Sequence, residues 1–284
     1  MKERITFKPV DPIEPKSQYS AEFDKFDEMM ARKAKVVEET RDEVCPDHGK
    51  FVSRYHDLGG QWSHWSKCPE CQKREELKRE EERRREQHKE WLESLVQQAR
   101  IPTRFQGKTF ENYEVKNAGQ RRALATAKDY AEKFGDHLAA GRCLTLTGKC
   151  GTGKTHLAAA IATTVARSGK RVLYANSIDL IRRIRRTWDH GALENEADLL
   201  RNLTDLALLI IDEVALSYGT DSEVQQLSEL VDRRYCEVRP VVIISNVGMA
   251  ELPRYLGDRA VDRLRENGGK VVIFDWDSHR GKNV

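Results

Sequence analysis

Three clusters of residues in this 284-residue chain have types and spacing that could do chemistry. The first is Gly148-Lys149-Cys150-Gly151-Thr152-Gly153-Lys154-Thr155, a complete G-x-x-x-x-G-K-T. Its glycines let consecutive backbone N–H groups curl around phosphate oxygens with no Cβ in the way. Lys154 is placed to reach the β- and γ-phosphates of ATP, and the Thr155 hydroxyl to hold Mg²⁺. A helix opening at Thr155, with His156 next, turns its positive end toward the same anion. The apolar run before the loop and Leu157, Ala158, Ile161 and Val165 after it supply the strand-then-helix context that such a loop needs.

The second cluster is acidic. Leu206 to Ile211 is an unbroken apolar run, as a strand buried on both faces requires, and it ends in Asp212-Glu213. Asp212 would hold Mg²⁺ through water, and Glu213 would orient and deprotonate the attacking water. An acidic pair after an apolar run is common by itself; downstream of a phosphate loop it is specific. Val241 to Ser245 is another such run and ends in Asn246. Asn246 is placed either to hold the lytic water or γ-phosphate, or simply to end a strand.

The third is Cys45-Pro-Asp-His48 followed by Cys68-Pro-Glu-Cys71. Two such knuckles supply four ligands for tetrahedral Zn²⁺ and leave no open position for catalysis. His56 and His64 in the intervening loop either replace one of these ligands or are merely solvated. Phe51, Tyr55, Trp62 and Trp65 would cover a metal site that so small a module needs in place of a core.

The elements that must position these groups follow from pattern. With 49 basic and 46 acidic residues the net charge is only +3, so nucleic-acid binding would have to come from local patches. No apolar run approaches membrane-spanning length and the start is no signal peptide, so a cytoplasmic protein without a membrane role is expected. Residues 1–20 read as an irregular arm. Residues 21–44 show helical spacing, fitting either a helix packed on its own domain or a docking helix for a larger partner. Residues 72–100 are a charged helix whose apolar stripe appears only at Trp91, Leu92, Leu95 and Val96, where it should meet another element. Pro102 ends it, dividing residues 1–100, with the metal module at 45–71, from 101–284. Arg104 to Tyr113 lines the adenine pocket or packs in the core. Helices over 119–139, 222–235 and 252–265 and strands at 170–175 and 270–274 complete an alternating α/β pattern, which implies a parallel sheet covered on both faces. No room remains for a full helical lid.

The phosphate loop, Asp-Glu, strand-tip Asn and a late arginine helix, in that order, resemble an AAA+ ATPase. Ile101-Pro102-Thr-Arg104-Phe105, Phe110-Glu-Asn-Tyr113, Ile244-Ser-Asn246, Leu256-Gly-Asp-Arg259, Asp262-Arg263-Leu-Arg265 and Phe274-Asp-Trp-Asp-Ser-His-Arg280 are similar to the DnaC/DnaI-type replicative helicase loaders, often carried by phages. The resemblance covers residues 100 to 282 and implies a P-loop core with a five-stranded sheet of order 5-1-4-3-2. It implies self-association into an open ring or spiral around single-stranded DNA. Arg263 then maps onto the arginine finger that completes a neighbour's site, with Arg259 and Arg265 close enough to exchange places with it, and Arg280 onto a second nucleotide-sensing arginine. The resemblance also implies a DNA-touching helix where Arg182, Arg183, Arg185, Arg186 and Trp188 stand: arginines for phosphates, tryptophan for a base. A solvated face with a core tryptophan is the plainer alternative. The function expected is an ATP-dependent loader that binds a DnaB-type replicative helicase and delivers it onto single-stranded DNA. The alternative is an IstB-type helper ATPase of DNA transposition.

Overall fold

The computed structural model describes residues 39–56, 63–216 and 219–279. The arm at 1–20, most of the helix expected over 21–44, Trp62 and Arg280 lie outside the described residues. The chain divides into two compact units between His88 and Lys89.

In the first unit, β1 (Thr40–Cys45) and β2 (Gly49–His56) form an antiparallel hairpin, and β3 (His64–Trp65) adds a short third strand beside β2. The end of the helix expected through residue 44 is therefore strand. Here Thr40, Asp42 and Val44 face outward and are exposed, and Cys45 must sit at the hairpin turn. A period of two wins over the three- and four-residue steps that the apolar residues upstream suggested. A long helix, α1 (Pro69–Gln98), starts with proline in its first turn, where a missing N–H costs nothing. Glu80 and Arg84 pair at 2.8 Å along its exposed face; such a pair contributes about 0.3–0.5 kcal/mol.

The last turns of α1 belong to the second unit. Leu95, Ala99 and Ile101 are buried in its core, and the Trp91 ring lies against Gly169, as the late apolar stripe requires. The second unit is a parallel five-stranded sheet made of β4 (Leu144–Gly148), β5 (Val172–Asn176), β6 (Leu208–Asp212), β7 (Val241–Ser245) and β8 (Lys270–Phe274), in the order β5-β6-β7-β4-β8. This is the expected 5-1-4-3-2. Alternate residues of β5, β6 and β7 feed two cores, while β4 and β8 give their buried apolar side chains to one of them. Leu144, Leu146, Leu208 and Ile210 face α2 (Ala118–Glu132) and α4 (Lys154–Arg167) on one side. Leu209, Ile211 and Ile243 face α5 (Ser177–Arg186), α6 (Glu196–Thr204), α7 (Asp221–Cys236), α8 (Pro253–Leu256) and α9 (Asp258–Arg265) on the other.

Three details differ from expectation. The helix over 119–139 is broken at Lys133 into α2 and a short α3 (Phe134–Ala139). The helix over 252–265 breaks at Gly257, whose φ of 78° lies where glycine is favoured. α6 is not among the expected helices, although Asn195 caps it and Leu199, Leu200 and Leu203 are its buried face. Among the described residues no helix follows β8.

One edge of the sheet is β5, and its exposed ladder is covered: the Tyr174 N–H donates to the Ala99 carbonyl at 2.8 Å, just beyond the end of α1. Elsewhere Arg234, fully buried, donates to the carbonyls of Leu203 (2.5 Å), Thr204 (3.1 Å), Leu206 (3.1 Å) and Pro240 (2.7 Å). The guanidinium thereby satisfies the C-terminal end of α6 and the chain entering β6 and β7. Burial lowers its pKa to about 9. Arg234→Met would leave these acceptors without their donor, so urea unfolding of the protein should show a loss of about 3 kcal/mol or more, with Arg234→Lys intermediate.

Candidate nucleotide and metal sites

The phosphate loop joins β4 to α4. At Gly148 (φ 128°) a Cβ would collide with the Phe274 carbonyl of the neighbouring β8, and at Gly153 (φ 100°) it would stand 2.8 Å from the Tyr113 ring. Glycine is obligatory at both places. Lys154 opens α4, and its ammonium donates to the carbonyls of Gly148 (2.6 Å) and Lys149 (2.8 Å), folded beneath the loop where phosphate oxygens would compete for it. The Thr152 hydroxyl donates to the Lys149 carbonyl at 2.7 Å. Cys150 is an exposed thiol on the loop and Gly151 (φ 74°) is left-handed. From outside, the Thr152 carbonyl accepts from the Trp276 indole (3.0 Å) and the Tyr113 hydroxyl (3.4 Å), and the Gly151 carbonyl from the His279 N–H (2.9 Å). His156 bonds the Thr109 carbonyl at 2.8 Å and meets Tyr113 edge-on at 5.1 Å, and burial lowers its pKa. The segment before Tyr113 thus packs in the core and lies against the loop at once.

Parallel pairing brings the acids to the same end. Asn176 stands opposite Asp212 across β5 and β6. Asp212 Oδ2 accepts from Thr155 Oγ1 at 3.2 Å and from the Tyr174 phenol, and Oδ1 accepts from the Glu213 N–H at 2.7 Å. Burial pushes the Asp212 carboxyl above its ordinary value, and these three donors oppose that. Glu213 has a left-handed backbone (φ 59°), uncommon for a side chain of its size. Its carboxylate accepts from the Asn176 amide, while Asn176 Oδ1 caps α5 by accepting from the Ile178 N–H at 2.9 Å. Asn246 follows Ser245, which pairs with Thr147 of the loop strand. The sequence singles out Asp212, Glu213 and Asn246, but not Tyr174 as the neighbour of Asp212 or Asn176 as that of Glu213. The signal was their place at the carboxyl end of a strand, legible only once the strand order is known.

The arginines divide. Arg263 is largely buried, paired with Asp232 and lying over the Tyr235 ring at 4.8 Å, whereas Arg259 is exposed, 3.7 Å from Asp232. Arg259 and Arg265 line a cavity of about 550 Å³ with Met249, Pro253, Asp258 and Asp262. On α5, Arg182 and Arg186 are exposed. Arg183 is held by both Glu194 oxygens (3.0 and 3.1 Å), and Arg185 lies 3.7 Å from Glu223. Trp188 is 55% exposed, its indole donating to Glu196 at 2.9 Å, so the tryptophan is not a core residue.

In the first unit the Cys45, His48, Cys68 and Cys71 ligand atoms all lie within 4.8 Å of one another. Cys45 Sγ stands 3.5 Å from His48 Nδ1 and from Cys71 Sγ; His48 Nδ1 is 3.4 Å from Cys71 Sγ and 3.7 Å from Cys68 Sγ. Ligands 2.0–2.3 Å from a shared tetrahedral centre stand about 3.5–3.8 Å apart, so the four fit Zn²⁺. The Asp47 backbone N–H, then the His48 side chain, lower the Cys45 thiol to about 6, and that neighbour pushes Cys71 up to about 11. Arg74 bonds Asp47 at 2.9 Å beside the cluster. His56 and His64 stack on each other at 5.5 Å and are not part of the cluster. Tyr55 packs on Trp65 at 5.3 Å, and Arg41 lies 4.2 Å over the same ring.

With this geometry in view, the comparison with known proteins is direct. The model of the IstB-like ATP binding protein family matches residues 67–283. The chain belongs to that family. It is 37% identical over 174 residues to the replicative helicase loader DnaC of Escherichia coli (strain K12), covering 61% of this chain and 69% of that protein. It is 34% identical over 246 residues to the uncharacterized protein YdaV of the same strain, covering 86% of this chain and 93% of YdaV. The crystal structure of the DnaC helicase loader shares the fold with a TM-score of 0.55 at 24% identity, over 61% of this chain and all of that one. This IstB-like chain is thus a DnaC-type AAA+ member with an ATP-binding fold. No described helix is long and apolar enough to cross a membrane.

The ligand spacing leads to a direct measurement. Freshly purified, reduced protein should carry about one zinc per chain. Chelation should release it, remove amide-exchange protection from β1 and β2, and leave nucleotide affinity unchanged.

Proposed function

We propose that this DnaC-type chain is an ATP-driven loader that holds a ring-shaped replicative helicase of the DnaB type and delivers it onto single-stranded DNA. The observation that carries the loader reading is the 37% identity to a replicative helicase loader, and the coupling of hydrolysis to DNA rests on the bridge made by Asn176. One end of its amide holds Glu213 and the other caps α5, the helix bearing Arg182, Arg183, Arg185 and Arg186. A carboxylate engaged this way is a poorer base toward water. DNA phosphates drawn to the exposed Arg182 and Arg186, with a base on Trp188, shift the start of α5 and release Glu213.

The remaining roles follow the site. Lys154 exchanges its loop carbonyls for the β- and γ-phosphates of ATP. Thr155 and Asp212 fit Mg²⁺, which when bound neutralises phosphate charge. Glu213 takes the proton from the attacking water and Asn246 orients it. Lys149, Cys150, Gly151, Thr152 and His156 frame the phosphates, and Arg280 senses the nucleotide. Chains assemble into an open ring or spiral in which Arg263, freed from Asp232, reaches a neighbour's γ-phosphate; the exposure of Arg259 supports it as the alternative finger. Residues 1–100, stabilised by Zn²⁺, hold the helicase, and residues 101–284 run the ATP cycle. The family description supports a second reading, an IstB-type helper ATPase of DNA transposition.

Co-elution with the host replicative helicase separates the two: retention is expected, and none in either nucleotide state removes the loader reading. Lys154→Ala should lose ATP binding. Glu213→Gln should keep it, with turnover down at least about 100-fold. Asn176→Ala should raise turnover without DNA toward the DNA-stimulated rate; unaltered stimulation would show that the bridge does not restrain Glu213. Mixing Arg263→Ala with Glu213→Gln chains should recover part of the lost hydrolysis, because the two defects fall in different halves of a shared site.

A further inference from the structure

Tyr174 is almost completely buried, at 4% exposure, and lies on the face of β5 that packs with Ile210 and α4. Packing alone would be served by phenylalanine. The hydroxyl, however, reaches along the sheet to Asp212 Oδ2, the oxygen that also accepts from Thr155. The other oxygen of Asp212 is pinned by the Glu213 N–H. Once the Thr155 hydroxyl turns to a cation, the phenol is the side-chain donor left on Oδ2.

We propose that Tyr174 is a positioning residue for the divalent cation: its phenol orients the buried Asp212 carboxylate. The role rests on the reading of Thr155 and Asp212 as the cation site. Partners that hold a metal-directed carboxylate typically contribute 10- to 100-fold in metal affinity when removed.

The test is Tyr174→Phe in the full chain, read by fluorescent ATP-analogue binding across a Mg²⁺ titration and by Mn²⁺ binding followed by electron paramagnetic resonance. Affinity without metal should stay within about twofold, and the metal concentration for half-maximal effect should rise about tenfold. On an Asp212→Asn background, Tyr174→Phe should add nothing, since the two act as one unit. A packing role alone would lower the melting temperature and leave the metal requirement where it was, and that result overturns the proposal. If metal fails to strengthen nucleotide binding in the unaltered chain, the cation reading falls with it; a normal parent with an unshifted Tyr174→Phe removes Tyr174 alone. Should the variant not fold, 3-fluorotyrosine at position 174 reports the same contact. Its ¹⁹F resonance should move when Mg²⁺ joins bound nucleotide, and a resonance that stays still overturns the proposal.

Discussion

Asp212 is a carboxylate that the fold buries. A carboxylate taken out of water is costly unless donors replace the water. The second unit supplies them from three places: the hydroxyl of Thr155 at the start of α4, the phenol of Tyr174 on the neighbouring strand, and the N–H of Glu213 itself. That requirement explains why β5 and β6 must be adjacent and parallel, and why the loop helix must open beside them. It also explains the left-handed turn at Glu213, which brings its N–H back onto the preceding side chain while its own carboxylate points to Asn176.

The basic helix α5 is less basic than its composition suggests. Arg183 is neutralised by Glu194, Arg185 faces Glu223, and the Trp188 indole is bonded to Glu196. The loop after α5 and the first turns of α6 and α7 therefore supply a set of carboxylates to the same surface. A nucleic-acid strand would have to compete with them, and that competition is salt-sensitive in its own right.

Local pattern carried much of this architecture. The glycine loop, the two apolar runs ending in Asp212 and Asn246, and the paired knuckles at Cys45 and Cys68 each declare their chemistry within a few residues. The strand order followed from the resemblance, and the structure has it. What stayed hidden depends on partners distant in sequence. Nothing near Tyr174 announces a bond to Asp212, and nothing near Arg234 announces four carbonyls from three other segments. The inward turn of Arg263 onto Asp232 and Tyr235 is of the same kind. The strand at 40–45 departs from the expected helix because helical spacing upstream does not bear on a segment paired across a hairpin with residues 49–54.

The bond from the Tyr174 N–H to the Ala99 carbonyl also has a mechanical meaning. The last turns of α1 are seated on the ATP-binding unit by Trp91 and Leu95, and the chain leaving that helix is fastened at Ala99 to the outermost strand. The residue fastened there is the one whose side chain touches Asp212. A pull on the last turns of α1 would reach the sheet at β5, on the residue whose phenol bonds Asp212. The strand edge is therefore an anchor as well as a border.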